Sequence, residues 1–283
     1  MKLHFLGTSG ASLTPRPGCQ CRVCTEARGK GPPYSRWGPA LFIEDENILF
    51  DTPEEISLQL NRAGIKRVNH VFYTHWHPDH TFGKRVFEQL NINWGGLPGH
   101  RNLRTTPVYL PPQVKQDFEK HLSLMDHLTH MEGLKLITIQ EIQEGEPVQI
   151  GSLTVKAIQM ENPSLYVYLL TEGKKRVLLA LDDTKGWKPD QDLTGVNLVV
   201  LETGWFEVDP EGKLLVAPEL PLRQEEASFE ETLEILKTLQ AKRAILTHIE
   251  EMNARTYGDY LELEKEYQES RLTFAYDGLI VEV

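Results

Sequence analysis

The segment THWHPDH combines three histidines and an aspartate, directly after the apolar run HVFY. Side chains two positions apart on an extended chain point the same way, so His75 and His77 can bind one metal ion together. Pro78 then forces a turn, after which Asp79 and His80 can face a second ion nearby. Imidazole and carboxylate bind zinc, manganese and iron, and a pair of such ions can convert a bridging water into hydroxide. The cluster therefore predicts a metal-dependent catalytic centre rather than a solvated loop.

The elements that must position this cluster are mostly strands. Strand-like runs KLHFLG, PALFIEDENILFD and HVFYTH come first, and LKLITI, PVQIGSLTVKAIQM, SLYVYLLTEG, RVLLALDD and NLVVLETG follow later. EEASFEETLEILKTLQAKR has apolar residues three and four apart, which predicts an amphipathic helix before the strand AILTHI. The pattern predicts two sheets covered by helices in one domain, residues 1–283. A helical, loop-rich stretch at roughly 84–131, containing Trp94 and His100, separates the two strand-rich halves.

Composition and charge narrow the functional classes. The 283 residues are 40% hydrophobic and 25% charged, which is ordinary for a globular protein. The net charge of −11 repels phosphate backbones and disfavours nucleic acid as a partner. Membrane spans need about 18 successive apolar residues, and no such run is found. The start MKLHFLGTSG is typical of a strand and turn rather than a secretion signal, and together these features predict a cytoplasmic protein.

All three cysteines lie in one short stretch, PGCQCRVCTEARGKG. Cys19, Cys21 and Cys24 have the spacing C-x-C-x-x-C, and an odd number of thiols does not suit a disulfide framework. Three thiolates supply most of a tetrahedral zinc site, which stabilises an irregular loop only when it is folded. The triplet therefore predicts one structural zinc ion.

These motifs together resemble the metallo-β-lactamase superfamily. The opening KLHFLGTSG, the run ILFDT with Asp51, the motif H-x-H-x-D-H and the late ILTHI extend the resemblance over nearly the whole chain. It implies an α/β protein built as an αβ/βα four-layer sandwich, in which the stretch at roughly 84–131 forms a helical insertion or cap over the mouth of the site. It also implies that His248 completes the second metal site beside Asp79 and His80, while Asp51 either binds or orients the loop.

The same resemblance implies an aspartate that bridges the two metals from a strand end. The run RVLLALDDTKG offers two neighbours for this role. Direct continuation of the apolar strand favours Asp182, whereas the pair DT favours Asp183; we prefer Asp182. Asp79 and Asp182 are accordingly the predicted catalytic carboxylates.

Two positions depart from the superfamily pattern. Glu161 stands where a third histidine of the first site is expected; it either binds the metal through oxygen, favouring manganese or iron, or caps the turn before Pro163. Where related phosphodiesterases carry a proton-donating histidine, this chain has Glu225 and Glu226, which we interpret as helix-start glutamates.

The cysteine loop narrows the resemblance to the branch that contains phosphoribosyl cyclic phosphate phosphodiesterases. In that branch a histidine supplies the fourth zinc ligand, at a position occupied here by Glu251. The fourth ligand is therefore Glu251, another residue such as His4, or water.

The sequence as a whole predicts a metal-dependent hydrolase acting on a small or cyclic phosphodiester. Its cofactors would be two active-site ions, zinc or manganese with iron as an alternative, and one structural zinc. The resemblance also allows a homodimer. Two alternatives remain: hydrolysis of a carbonyl ester, lactone or thioester on the same centre, or a non-catalytic protein that binds metal or ligand through an altered site.

Overall fold

The computed structural model describes residues 1–92, 104–143, 145–268 and 271–283. Trp94 and His100 of the predicted cap lie outside the described residues.

The first sheet has seven strands, and those on one side of it are parallel. They are β1 (Lys2–Gly7), β2 (Ala40–Ile43), β3 (Ile48–Phe50), β4 (His70–Phe72), β5 (Thr106–Leu110), β6 (Ile137–Glu141) and β14 (Ile280–Glu282). They lie in the order β14-β1-β2-β3-β4-β5-β6, with β3 to β6 running parallel. The carboxyl ends of β3 and β4 therefore open on the same edge of the sheet.

The second sheet also has seven strands. They are β7 (Pro147–Ile150), β8 (Leu153–Gln159), β9 (Tyr166–Glu172), β10 (Lys175–Ala180), β11 (Leu198–Glu202), β12 (Ala244–Thr247) and β13 (Leu272–Phe274). Their order is β13-β12-β11-β10-β9-β8-β7, with β10 to β13 parallel and β7 to β10 antiparallel. Strands β10, β11 and β12 are buried along almost their whole length, as expected of parallel strands covered on both faces.

Nine α-helices are found within the described ranges. They are α1 (Arg22–Lys30), α2 (Ile56–Arg62), α3 (Pro78–Thr81), α4 (Val86–Asn91), α5 (Pro112–Lys120), α6 (Leu124–Gly133), α7 (Leu222–Glu225), α8 (Phe229–Leu239) and α9 (Tyr257–Glu266). Helix α8 is the predicted amphipathic helix, and it begins with a capping box in which Ser228 and Glu231 satisfy each other's backbone N–H groups. Each described helix is too short or too polar to cross a membrane.

Two hydrophobic clusters hold these layers together. The larger joins the inner faces of both sheets, where Phe50 and Phe72 meet Tyr168 at ring distances of 5.2 and 5.7 Å. The smaller packs the outer face of the second sheet against α8 and α9, through residues such as Phe229 and Tyr260. Two sheets with helices outside them confirm the predicted α/β sandwich.

The structure corrects the prediction that the segment 84–131 forms an inserted cap. Its described part supplies β5, which pairs with β4 and β6, and Phe118, Leu128 and other apolar residues of α5 and α6 are fully buried in the larger cluster. Because these apolar faces pack into the core, the described part is integral to the first layer rather than an insertion outside it. The end of α5 does reach the site, since His121 stacks on Trp76 at a ring distance of 4.1 Å.

Candidate metal centre

The predicted ligands follow the carboxyl ends of parallel strands in both sheets. Asp51 follows β3 directly, His75 lies just beyond β4, Asp182 follows β10, and His248 follows β12 directly. Because the two sheets face each other, these four strand ends converge at one edge of the sandwich. The fold thus explains why residues almost two hundred positions apart meet.

One group of side chains matches the predicted second metal site. Donor atoms of Asp79, His80, Asp182 and His248 all lie within 4.8 Å of one another. The Nε2 atoms of His80 and His248 are each 3.4 Å from Oδ2 of Asp79. Nε2 of His80 is also 3.3 Å from Oδ2 of Asp182, the carboxylate that this group shares with the first metal site.

The other group of side chains matches the predicted first metal site. Donor atoms of His75, His77, Asp182 and Asp183 also lie within 4.8 Å of one another. Nε2 of His75 is 3.3 Å from Oδ2 of Asp182, and Nδ1 of His77 is 4.0 Å from Oδ2 of Asp183. Asp182 belongs to both groups, which is the position required of a bridging ligand.

The structure does not bring Glu161 to the first site. Its exposed side chain accepts a hydrogen bond from the backbone N–H of Lys188, at 3.1 Å, in the turn after β8. Asp183 lies instead beside His77, held there by a left-handed backbone conformation with φ of 52°. The paired aspartates were the signal for this role, but sequence reasoning treated them as competitors for a single position.

Unpartnered buried atoms show that the two groups fit metal ions. Nε2 of His75 and Oδ2 of Asp79 are buried and make no well-formed hydrogen bond among the described residues; their nearest polar neighbours, at 3.3 to 3.4 Å, are other donor atoms of the same two groups. Such orphaned atoms are rare in proteins unless an ion or water completes them. Burial lowers the pKa of His77 to about 4, so its imidazole is neutral and free to bind a metal at neutral pH.

The side chains of the second metal site influence one another's pKa values strongly. Burial alone would lower the pKa of His248, but Asp182, Asp79 and Glu250 together raise it to about 10. Burial of His80 is likewise outweighed by Asp79 and other carboxylates, which raise its pKa well above the usual value. Without metal, both imidazoles therefore hold a proton that an incoming ion must displace.

Asp51 orients His80 of the second metal site and is not itself one of that site's predicted metal ligands. Its carboxylate accepts hydrogen bonds from the backbone N–H of Thr74 at 2.9 Å, the Thr74 hydroxyl at 2.8 Å and Nδ1 of His80 at 2.8 Å. This contact leaves Nε2 of His80 facing the centre, an arrangement that commonly fixes metal-binding histidines. On the other sheet Glu202 accepts from both the N–H and the hydroxyl of Thr184, the residue that follows Asp183, and sequence reasoning missed it.

A cavity of about 230 Å³ opens beside the two groups. Glu226 lines it next to Asp183, whereas the first turn of α8 contains Glu230 and Glu231; the interpretation of Glu226 as a helix-start residue is therefore corrected. The cavity is lined by Ala11, His77, Asp79, Asp182, Asp183, Glu202, Gly204, Trp205, Leu222, Glu226, Ala227, His248, Glu250 and Met252. None of these lining residues is lysine or arginine.

The three cysteines converge on a single carboxylate oxygen. Oε1 of Glu251 lies 3.4, 3.0 and 3.1 Å from the sulfur atoms of Cys19, Cys21 and Cys24. The other oxygen, Oε2, lies 3.3 Å from Nε of Arg16, which turns Oε1 towards the sulfurs. Three thiols and a carboxylate form a donor set that suits zinc. Among the fourth ligands left open, the geometry favours Glu251; His4 instead pairs with Glu44 in the first sheet.

Two facing seven-stranded sheets, with histidines and aspartates gathered at their strand ends, define the metallo-β-lactamase class. A family model described as a β-lactamase superfamily domain matches residues 46–249. The chain belongs to this superfamily, and the resemblance found in the sequence is confirmed.

Solved structures show the same fold along the entire chain. A diphosphatase from the PhnP family is 19% identical with a TM-score of 0.70, covering 100% of this chain and 96% of that one. Zn²⁺-bound PqqB from Methylobacterium extorquens is 15% identical with a TM-score of 0.72, covering 100% of both. At these identities the likeness shows the fold alone.

Curated relatives match part of the chain. Octanoyltransferase from Porphyromonas gingivalis is 26% identical over 186 residues, 65% of this chain and 35% of that protein. Ribonuclease Z from Methanococcus aeolicus is 28% identical over 183 residues, 62% of this chain and 48% of that protein. The chain therefore spans about a third to a half of the length of these relatives.

Proposed function

We propose that the protein is a metal-dependent hydrolase that cleaves small or cyclic phosphodiesters. The observation that carries this proposal is the position of Asp182, whose carboxylate reaches both groups of donor atoms. One shared carboxylate between two sets of imidazoles is the arrangement that a dinuclear centre requires.

The residues would form two metal sites. Each ion would be zinc or manganese, with iron as an alternative. His75, His77 and Asp183 would hold the first, and Asp79, His80 and His248 the second. When bound, such a pair supplies a hydroxide nucleophile at neutral pH and neutralises charge on a phosphate. Asp182 would keep the two sites together, and the oxygen ligand Asp183 favours manganese or iron at the first.

Size and charge support a small substrate. The cavity of about 230 Å³ leaves little room for a folded nucleic acid, and the net charge of −11 gives no long-range attraction for one. Ribonuclease Z and the PhnP-family diphosphatase are both named for cleavage of phosphate linkages, which supports phosphorus as the electrophile. A cytoplasmic location and a homodimer stay predictions.

The cavity wall favours a second candidate, hydrolysis of a carbonyl ester or thioester. Glu226 and Glu250 add carboxylates beyond the metal-binding set, and the lining lacks a lysine or arginine that would attract a phosphate. A neutral ester meets no repulsion from this wall. Octanoyltransferase, a relative named for acyl transfer, agrees with such a substrate.

A substrate panel separates the two candidates. Protein loaded with manganese or zinc would be assayed on bis(p-nitrophenyl) phosphate and on p-nitrophenyl acetate, beside His77→Ala and the matched control His130→Ala on the exposed face of α6. Phosphodiester turnover that is lost only in His77→Ala supports the proposal. Turnover of the acetate alone moves the assignment to carbonyl esters, and turnover of neither, with both ions bound, leaves a binding protein.

A further inference from the structure

The cysteine cluster, defined as Cys19, Cys21, Cys24 and Glu251, lies close along the chain to the candidate metal centre. Glu251 is three residues beyond His248 and directly follows Glu250, which lines the cavity. The cluster's carboxylate and an active-site histidine are therefore carried by one short segment, 248–251.

Backbone hydrogen bonds attach this segment to the loop that carries the cysteines. The N–H of Ile249 donates to the carbonyl of Thr8 at 2.9 Å, and the N–H of Gly10 donates to the carbonyl of Ile249 at 3.1 Å. The N–H of Ala11 then donates to Oε1 of Glu250 at 2.8 Å. A Cβ on Gly10 would lie 2.0 Å from the same oxygen, so glycine is what allows this approach.

His248 needs such anchoring because its backbone is strained. Its φ is 51°, in the left-handed region that only a few per cent of residues other than glycine adopt. Conformations of this kind persist only where surrounding contacts over-determine them. The residues after His248, Ile249 and Glu250, bond to the loop that leads to the cysteines. At the end of the same segment, Glu251 contacts the cysteine sulfur atoms.

We propose that Glu251 is a positioning residue: with a metal ion in the cysteine cluster, it fixes the turn that presents His248 and so sets metal affinity at the second active-site position. The two metal sites would then be linked through three residues of backbone. This inference rests on the proposed dinuclear centre, but not on which bond the protein hydrolyses.

Cobalt(II) substitution tests the link without measuring turnover. Thiolate ligation gives intense charge-transfer absorption, whereas imidazole and carboxylate sites give only weak visible bands, so the two sites can be followed separately in one titration against a chelator. The proteins would be wild type, Glu251→Gln, Glu251→His, Cys24→Ser and the control Glu119→Gln, an exposed residue of α5.

The expected result is that Glu251→Gln and Cys24→Ser empty the cysteine cluster and weaken the second active-site position by about tenfold or more, the scale typical of residues that orient ligands. Glu251→His, which supplies an imidazole as the fourth ligand, should recover both affinities, and Glu119→Gln should change neither. An active-site affinity within about twofold of wild type in a variant with an empty cluster would overturn the proposal, since outer ligand partners ordinarily cost more than that.

If the variants do not fold, wild type can be treated with p-hydroxymercuribenzoate, which captures the thiols and releases their metal. Loss of the weaker cobalt bands along with the charge-transfer band supports the link, and their persistence overturns it. A protein that shows the link but hydrolyses nothing would refute the proposed function alone.

Discussion

Replacing Asp51 by asparagine would remove the acceptor that holds the ring of His80. Oδ1 of Asp51 accepts from the Thr74 N–H, while Oδ2 accepts from the Thr74 hydroxyl and from Nδ1 of His80. Asparagine can keep one oxygen for the backbone, but it then presents an NH₂ group to Nδ1. His80 must respond by moving its proton to Nε2, the atom that faces Asp79 and Asp182. The metal-facing nitrogen would then carry a hydrogen.

The magnitude follows from the contacts that are lost. Substitutions of residues that orient a metal-binding histidine lower metal affinity by about 10- to 100-fold, or about 1.4–2.7 kcal/mol. Asp51→Ala is less informative, because it would leave three buried donors unsatisfied at about 1–3 kcal/mol each. That total of about 3–9 kcal/mol approaches the whole stability of an ordinary domain, about 5–15 kcal/mol. Asp51→Asn should fold and show its effect mainly in metal binding.

The assay is a chelator competition that measures each metal affinity, combined with nitrogen-15 NMR of the histidine rings in the zinc-loaded protein, where the wild-type ring of His80 is neutral. Asp126→Asn, an exposed residue of α6, is the matched control. We expect weaker binding at the second position only, together with a protonated Nε2 on His80. Wild-type affinity at both positions, with Nε2 unprotonated, would refute the reasoning.

Four further predictions use other contacts and charges of the structure. Asp183→Asn should lower the metal content of the first position while Glu161→Gln leaves it unchanged, as measured by metal per protein after dialysis; the opposite pattern would restore Glu161 as a ligand. Because the pKa of His248 is raised to about 10 in the metal-free protein, metal binding near neutral pH should release protons and tighten as pH rises, by about tenfold per unit for each proton released. Calorimetry in buffers of different ionisation enthalpy measures this release, and a pH-independent affinity would contradict it. The same raised pKa stabilises the metal-free fold fully below pH 6.5, and that contribution is lost as pH rises through about 10, which thermal unfolding of the metal-free protein follows. Gly83→Ala should lower the unfolding temperature, since its Cβ would lie 1.9 Å from the carbonyl oxygen of Pro53, at a cost of about 1–3 kcal/mol. Gly29→Ala meets no atom within 4 Å and lies in α1, so equal losses in the two variants would contradict this account.

The local part of the centre could be predicted because its geometry lies within one short segment. The alternation of His75 and His77, the turn at Pro78, and Asp79 with His80 beyond it are set by backbone periodicity alone. The fold was predictable for a related reason, since long apolar strands and one amphipathic helix dominate the pattern. His248 was found through the resemblance to a family, not through its own surroundings.

The remaining residues depend on tertiary structure that periodicity does not encode. Glu161 follows β8 in a turn where its exposed side chain bonds to Lys188 and belongs to neither group of donor atoms, and nothing in its sequence neighbours indicates this. Glu226 reaches the cavity because the segment after β11 returns to it before α8 begins. Burial of α6 depends on packing against β6 and burial of α5 on packing against α6, whereas the prediction of a cap came from the resemblance to the family.

Three residues at the centre have left-handed backbone conformations at the ends of strands. Asp51, Asp183 and His248 have φ values of 62°, 52° and 51°. Each such conformation costs about 1–3 kcal/mol, and glycine would relieve it but would remove the side chain that the site needs. Hydrogen bonds from Thr74, Thr184 and Ile249 hold the three turns, so the strain is offset by contacts that do not touch the metals. The centre is thus preorganised from outside, because the contacts that hold these three turns are made by residues that do not themselves bind the ions.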